Sequence, residues 1–121
     1  MYKKILIFGD TGMLGSVLLE MSKKLGFETF GCSRSSKNIK IDIQNHIKVN
    51  NILEDIDPDL IINTVGITDV DYCEENPTKA WEIHSNGTYN IYKWINKKNH
   101  KKMIYISTDQ YFAYSSKQKN S

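Results

Sequence analysis

Three glycines punctuate GDTGMLG (residues 9–15) at three-residue spacing: Gly9, Gly12 and Gly15. The apolar run Ile5-Leu6-Ile7-Phe8 precedes them and an amphipathic stretch follows. Between a strand and a helix, this spacing suits the binding of a phosphate. Gly9 turns the chain tightly at the strand end, Gly12 lets the backbone approach a pyrophosphate, and Gly15 lets the helix pack closely on the sheet. The start of the helix adds free N–H donors and the positive end of its dipole. Thr11 is placed to cap that helix or to donate to a phosphate. A glycine triplet alone is a weak signal, but strand, triplet and helix together in a βαβ unit form a strong one. The ligand implied is a dinucleotide.

Which dinucleotide depends on the end of the second strand. A site for the unphosphorylated nicotinamide cofactor places Asp or Glu there, on the ribose 2′-OH. This chain offers Gly31-Cys32-Ser33-Arg34-Ser35 instead. There is no carboxylate, and the fork of Arg34 suits a 2′-phosphate. The expectation is NADPH over NADH.

These residues need a scaffold, and the pattern supplies one. Residues 3–8 read as a buried strand, and 13–25 as a helix with Leu14, Val17, Leu18, Met21 and Leu25 on one face, ended by Gly26. Residues 27–32 and 39–41 read as the second and third strands. A helix over 45–56 points Ile47, Ile52, Leu53 and Ile56 inward, and Pro58 introduces a fourth strand at 60–64. From Pro77 to about Lys98 the helical period returns, with Trp81, His84, Thr88, Ile91 or Tyr92, and Ile95 sharing a face. The fifth strand is 102–107. Strands separated by helices imply parallel pairing, and right-handed crossovers place helices on both faces. The fold expected is α/β: a Rossmann-like, doubly wound parallel sheet of order 3-2-1-4-5, over residues 1–112. Residues 113–121 are polar and aperiodic, and are expected to form a disordered tail. A sheet ending at the fifth strand would leave an open edge prone to self-association.

Composition narrows the class. The chain has 121 residues, a net charge of +2, 40% hydrophobic and 25% charged residues. It is one domain in size. No apolar run approaches the roughly 20 residues of a membrane helix, and Met1-Tyr2-Lys3-Lys4 lacks the apolar region of a signal peptide. Cys32 and Cys73 have no metal-type spacing and suit a reducing compartment, so the expected location is cytoplasmic, with no membrane partner. The cluster Lys97-Lys98-Asn99-His100-Lys101-Lys102 reads as a helix end, where cations complement the dipole by ~0.3–1 kcal/mol. A nucleic-acid partner is not expected, because the basic face and interleaved aromatics it needs are missing. His46, His84 and His100 lack metal-ligand spacing, and Asp69, Asp71, Glu74 and Glu75 read as the acidic start of a helix, so no metal is expected.

GDTGMLG, the Ile41-Asp42-Ile43 step, DPDLIINTVG (57–66), TDVDYCEENP (68–77), NGTYN (86–90) and ISTDQYF (106–112) follow one another in order. Together they resemble the dTDP-4-dehydrorhamnose reductase family, extended short-chain dehydrogenases acting on sugar nucleotides. The resemblance spans residues 1–112. It implies that Gly9, Thr11, Gly12, Met13, Leu14 and Gly15 line the pyrophosphate, and Ser33 and Arg34 the adenosine ribose. Asp42 and Ile43 would contact the adenine, and Asn63, Thr64, Val65 and Gly66 would run beneath the pyrophosphate and nicotinamide ribose. Thr108 matches the family's catalytic Ser/Thr, donating to the substrate's keto oxygen and so stabilising the alkoxide formed on hydride arrival. Asp109 and Tyr111 sit beside it, and Asn86 matches an asparagine that organises the site.

One part of the family pattern is missing. Its proton donor is the Tyr of a Tyr-x-x-x-Lys pair normally some twenty residues beyond the catalytic Ser/Thr, yet after Thr108, Tyr111 is followed at that offset by Ser115, and Tyr114 by Gln118. The expectation is therefore the cofactor-binding part of an NADPH-dependent sugar-nucleotide reductase, inactive alone and acting on a nucleotide-sugar substrate with a complementing segment, a second chain or a homo-oligomer. The alternative is a non-catalytic dinucleotide-binding or regulatory module of the same fold.

Overall fold

The computed structural model describes residues 3–65, 77–106 and 111–115, with the backbone alone for 77–86 and 111–115. The elements in chain order are β1 (Lys4–Phe8), α1 (Met13–Lys24), β2 (Glu28–Ser33), β3 (Ile39–Lys40), α2 (His46–Ile56), β4 (Leu60–Asn63), α3 (Pro77–Asn96), β5 (Lys102–Ile106) and β6 (Tyr111–Ser115). The sheet order is β3-β2-β1-β4-β5-β6. The first five strands are parallel in the expected order 3-2-1-4-5. No helix among the described residues is long and apolar enough to cross a membrane.

Alternation along the strands divides the core into two layers. Leu6, Phe8, Ile61 and Met103 face α2 and α3, where they join Val49, Leu53, Ile91, Trp94 and Ile95, all fully or almost fully buried. Ile5, Ile7 and Ile62 face α1, with Leu18, Leu19, Phe27, Leu60 and Ile106 packed around them. Strands in which both faces are covered read as continuous apolar runs, which explains why Ile5-Leu6-Ile7-Phe8 shows no alternation.

Three expectations need correction. Of the stripe assigned to one face of α1 only Leu18 meets the sheet: Val17, Met21 and Leu25 are about half exposed or more, and Leu14 is 38% exposed. The face on the sheet is instead Gly15, Leu18, Leu19 and Ser22, spaced i, i+3, i+4, i+7. Gly15 must lie against the Gly9 carbonyl, and that approach sets the rotation of the helix. In α2, Ile47 points outward at 63% exposure, while Val49 takes the inward place with Leu53. Positions two apart in a helix lie on nearly opposite sides, so a face through 49, 53 and 56 excludes 47. The third correction is at the sheet edge. β6 pairs antiparallel with β5 from Ile106↔Tyr111 to Lys102↔Ser115, so ordered strand extends past position 112 and covers the edge expected at β5. Its ladder hydrogen bonds come from a reversal of the chain, which no hydrophobic period records. Residues 116–121 of the expected tail lie outside the described residues.

Candidate cofactor site

Among the described residues, those singled out for the cofactor follow the carboxyl ends of β1, β2, β3 and β4, where ligands of open parallel sheets sit. The turn after β1 is built around Gly9, whose φ of +92° favours glycine. Its N–H donates to the Cys32 carbonyl at 2.8 Å, tying the turn to the neighbouring strand. A Cβ on Gly9 would strike the Thr64 hydroxyl, and one on Gly15 the Gly9 carbonyl. Both glycines are thus required by the protein's own packing.

Gly12 differs from them. It is the N-cap of α1, with no side chain capping the helix start. A Cβ there would meet only the Gly9 carbonyl oxygen, at 3.5 Å, among the described residues. The backbone at Gly12 is open on its outer side, next to helix N–H groups that have no intrahelical acceptor. Met13, 90% exposed, borders this opening with Leu14. An uncapped helix start behind an open glycine is what a pyrophosphate needs, so the turn fits a dinucleotide.

Thr11 does not cap α1. Its hydroxyl lies 3.2 Å from that of Ser33 and 3.1 Å from that of Ser35, joining the turn to the end of β2. Arg34 projects from this segment, exposed. Cys32, directly before it, is fully buried; burial first, and then the Asp10 charge, push its thiol well above the usual range. It is no nucleophile.

At the end of β4, Thr64 donates to the Phe8 carbonyl from its N–H at 3.0 Å and its hydroxyl at 2.8 Å, so it supports the turn from below. Asn63 is buried beside it; its Oδ1 accepts from the Val65 N–H at 3.0 Å. Asp42, half-buried after β3, accepts from the Gln44 N–H at 2.9 Å. It does not cap α2, a role taken by Asn45. The side chain of Ile43 is in the core against Gly87, and its carbonyl accepts from Asn90 Nδ2 at 3.0 Å. Gly66, Thr108 and Asp109 lie outside the described residues, as do the side chains of Asn86 and Tyr111.

Sequence reasoning missed Ser35, Asn90 and above all Asp10 with Ser36. The carboxylate of Asp10 fills the space left by Gly31, whose added Cβ would stand 2.5 Å from Asp10 Oδ2. An acid two residues past a buried strand, with a glycine in the next strand, was the available signal.

Comparison with known proteins yields one family: that described as RmlD substrate binding domain matches residues 3–120. Among curated proteins, the chain is similar to the probable low-salt glycan biosynthesis reductase Agl14 of Haloferax volcanii. The two are 34% identical over 88 residues, 68% of this chain and 29% of that protein. It is 30% identical over 86 residues to the spore coat polysaccharide biosynthesis protein SpsK of Bacillus subtilis, covering 71% of this chain and 29% of that one. The chain thus spans under a third of the length of either. Among solved structures, dTDP-4-dehydrorhamnose reductase from Bacillus anthracis in complex with NADP superposes with a TM-score of 0.68 at 25% identity, over 80% of this chain and 33% of that one.

Proposed function

The chain belongs to the RmlD substrate binding domain family, and on that premise we propose that it is the cofactor-binding part of an NADPH-dependent sugar-nucleotide reductase. The observation that carries this reading is the uncapped, open helix start at Gly12 beside a β2 end that carries Arg34 and no carboxylate. The relatives named for glycan and polysaccharide biosynthesis support the substrate class.

In this reading the N–H groups after Gly12, with Gly9, Thr11, Met13, Leu14 and Gly15, hold the pyrophosphate. Ser33 and Arg34 take the phosphorylated adenosine ribose. Asp42 accepts from the adenine amine, and Ile43, with its side chain in the core, meets the ring through its backbone. Asn63, Thr64, Val65 and Gly66 form the floor under the nicotinamide ribose. When bound, the reduced nicotinamide supplies the hydride. Thr108 donates a hydrogen bond to the keto oxygen of a 4-keto-6-deoxysugar nucleotide, stabilising the charge that develops there. The one Tyr-x-x-x-Lys spacing of this chain, Tyr89 to Lys93, precedes Thr108 and lies within α3, whereas Tyr111 and Tyr114, which follow Thr108, are succeeded at that offset by Ser115 and Gln118; in this reading the proton comes from a group outside these residues.

Titration of the purified protein with NADPH and NADH tests the cofactor assignment. NADPH should bind tighter. Arg34→Ala should weaken NADPH by about 10-fold or more, the value of a charge-assisted pair, and leave NADH nearly unchanged. Equal affinities in the parent protein, or NADPH binding unaffected by Arg34→Ala, would overturn it.

A further inference from the structure

One carboxylate at the site is not used by the reading above. Asp10 is only 6% exposed, and its Oδ1 has no hydrogen-bond partner among the described residues. Its Oδ2 accepts from the Ser36 hydroxyl at 2.6 Å and lies 3.4 Å from Asn38 Nδ2. Burying a carboxylate with half its acceptor capacity idle is costly, and the packing of β1 against β2 has no need of a charge at this point. What the charge does is local. Ser36, itself 1% exposed, accepts from the backbone N–H of Asn38 at 2.9 Å and of Ile39 at 3.3 Å. Its one proton goes to Asp10, so the carboxylate fixes the hydroxyl on which the 36–39 backbone is folded. The other end of the same segment is held by Thr11 through Ser33 and Ser35. Two adjacent residues of the phosphate turn, Asp10 and Thr11, thereby clamp both sides of the segment that carries Arg34.

We propose that Asp10 is a positioning residue for cofactor selection: through Ser36 it holds the 33–38 segment in the form that presents Arg34 to the 2′-phosphate. The inference rests on the reading of Arg34 as the 2′-phosphate contact. A pre-ordered arginine does not lose that freedom on binding, so the clamp favours the ligand that uses Arg34 over the one that does not.

The test is the ratio of NADH to NADPH dissociation constants for the parent protein, Asp10→Ala, Asp10→Asn and the double variant Asp10→Ala/Ser36→Ala, with folding followed by circular dichroism. Asp10→Ala should lower the ratio about tenfold, with the NADH constant within about twofold of the parent. Asp10→Asn, which keeps an acceptor for Ser36, should restore most of it. The double variant leaves no Ser36 hydroxyl without its acceptor but also removes the acceptor of the Asn38 and Ile39 N–H groups; it should lower the ratio at least as far as Asp10→Ala, and it carries the test if the single variant does not fold. A merely structural carboxylate would weaken both cofactors alike, and that result overturns the proposal. So does a rise in NADPH affinity in Asp10→Ala, which would mean the charge acts by repelling the phosphate. If the parent protein has no preference for NADPH, the Arg34 reading falls and this inference with it. If the parent prefers NADPH and folded variants keep the preference, only this inference falls.

Discussion

Replacing Gly12 by Ala separates what the glycine turn does for folding from what it does for binding. Gly12 has φ −76° and ψ 167°, which Ala adopts without strain. The methyl group meets only the Gly9 carbonyl oxygen, at an ordinary 3.5 Å. Two small terms then oppose each other. Ala restricts the unfolded chain and stabilises by ~0.4–1 kcal/mol; it is a poorer N-cap than Gly and costs roughly 0.5–1 kcal/mol. The net change should be within about 0.5 kcal/mol, or on the order of 2 °C in Tm. Binding should respond very differently. The methyl stands where a phosphate would approach the helix N–H groups, and losing one charge-assisted hydrogen bond costs ~1.5–3 kcal/mol, about 10- to 100-fold in affinity. Gly15→Ala is the control in the opposite sense. Its Cβ strikes the Gly9 carbonyl and stands 3.0 Å from the Thr64 hydroxyl, so overpacking should cost ~1–3 kcal/mol and lower Tm by on the order of 4–12 °C. Thermal melting without ligand and calorimetric titration with NADPH measure the two effects. Unchanged affinity in Gly12→Ala would refute the phosphate assignment, and a large loss of Tm in the same variant would refute the claim that Gly12 is free of packing.

Two further outcomes follow from charge and burial. The N–H groups of Lys4 and Lys3, each 3.0 Å from Asp59 Oδ2, together with Lys101 hold the Asp59 carboxyl below its ordinary value of 3.8. A depressed folded value adds stability above the unfolded value and loses it as pH falls through the folded one. With the side chain 33% exposed, solvent screening keeps the contribution to roughly 1 kcal/mol. Asp59→Asn should therefore be less stable by about that amount at pH 7, with the difference closing below pH ~4; a constant difference in urea melts across this range would refute the linkage. Cys32, with its thiol pushed up by burial and by Asp10, should react with a thiol-directed disulfide reagent at pH 8 at least ~100-fold more slowly in the native than in the unfolded protein, measured by mass mapping of its peptide. Equal rates would place Cys32 outside the core.

Sheet order and the glycine turn after β1 were legible because each is written locally. β1 and β4 are short apolar runs, the connections are long enough only for parallel crossovers, and Gly9-x-x-Gly12-x-x-Gly15 leaves little else to read in its place. What was not legible depends on contacts between distant segments. The stripe Leu14, Val17, Leu18, Met21, Leu25 has a sound helical period, yet all but Leu18 are turned off the sheet because one glycine touches one carbonyl, and the period carries no record of that. β6 was missed for a related reason. Tyr111-Phe112-Ala113-Tyr114 has the aromatic content of a strand, but its pairing with β5 is a matter of chain reversal, and the polar residues that follow suggested a tail. At the site, Arg34 could be picked out as a lone cation at a strand end. Its supports could not, because Asp10 and Ser36 are 26 residues apart and neither has a pattern of its own. A ligand contact can be named from one residue and its place in an element. The segment that carries Arg34 is held by pairs such as Asp10–Ser36 and Thr11–Ser35, which exist only once β1 and β2 are side by side. On the reading proposed for Arg34, cofactor preference would depend as much on the turn after β1 as on the residue at the end of β2. Grafting Arg34 alone onto a relative without the Asp10–Ser36 clamp should transfer only part of it.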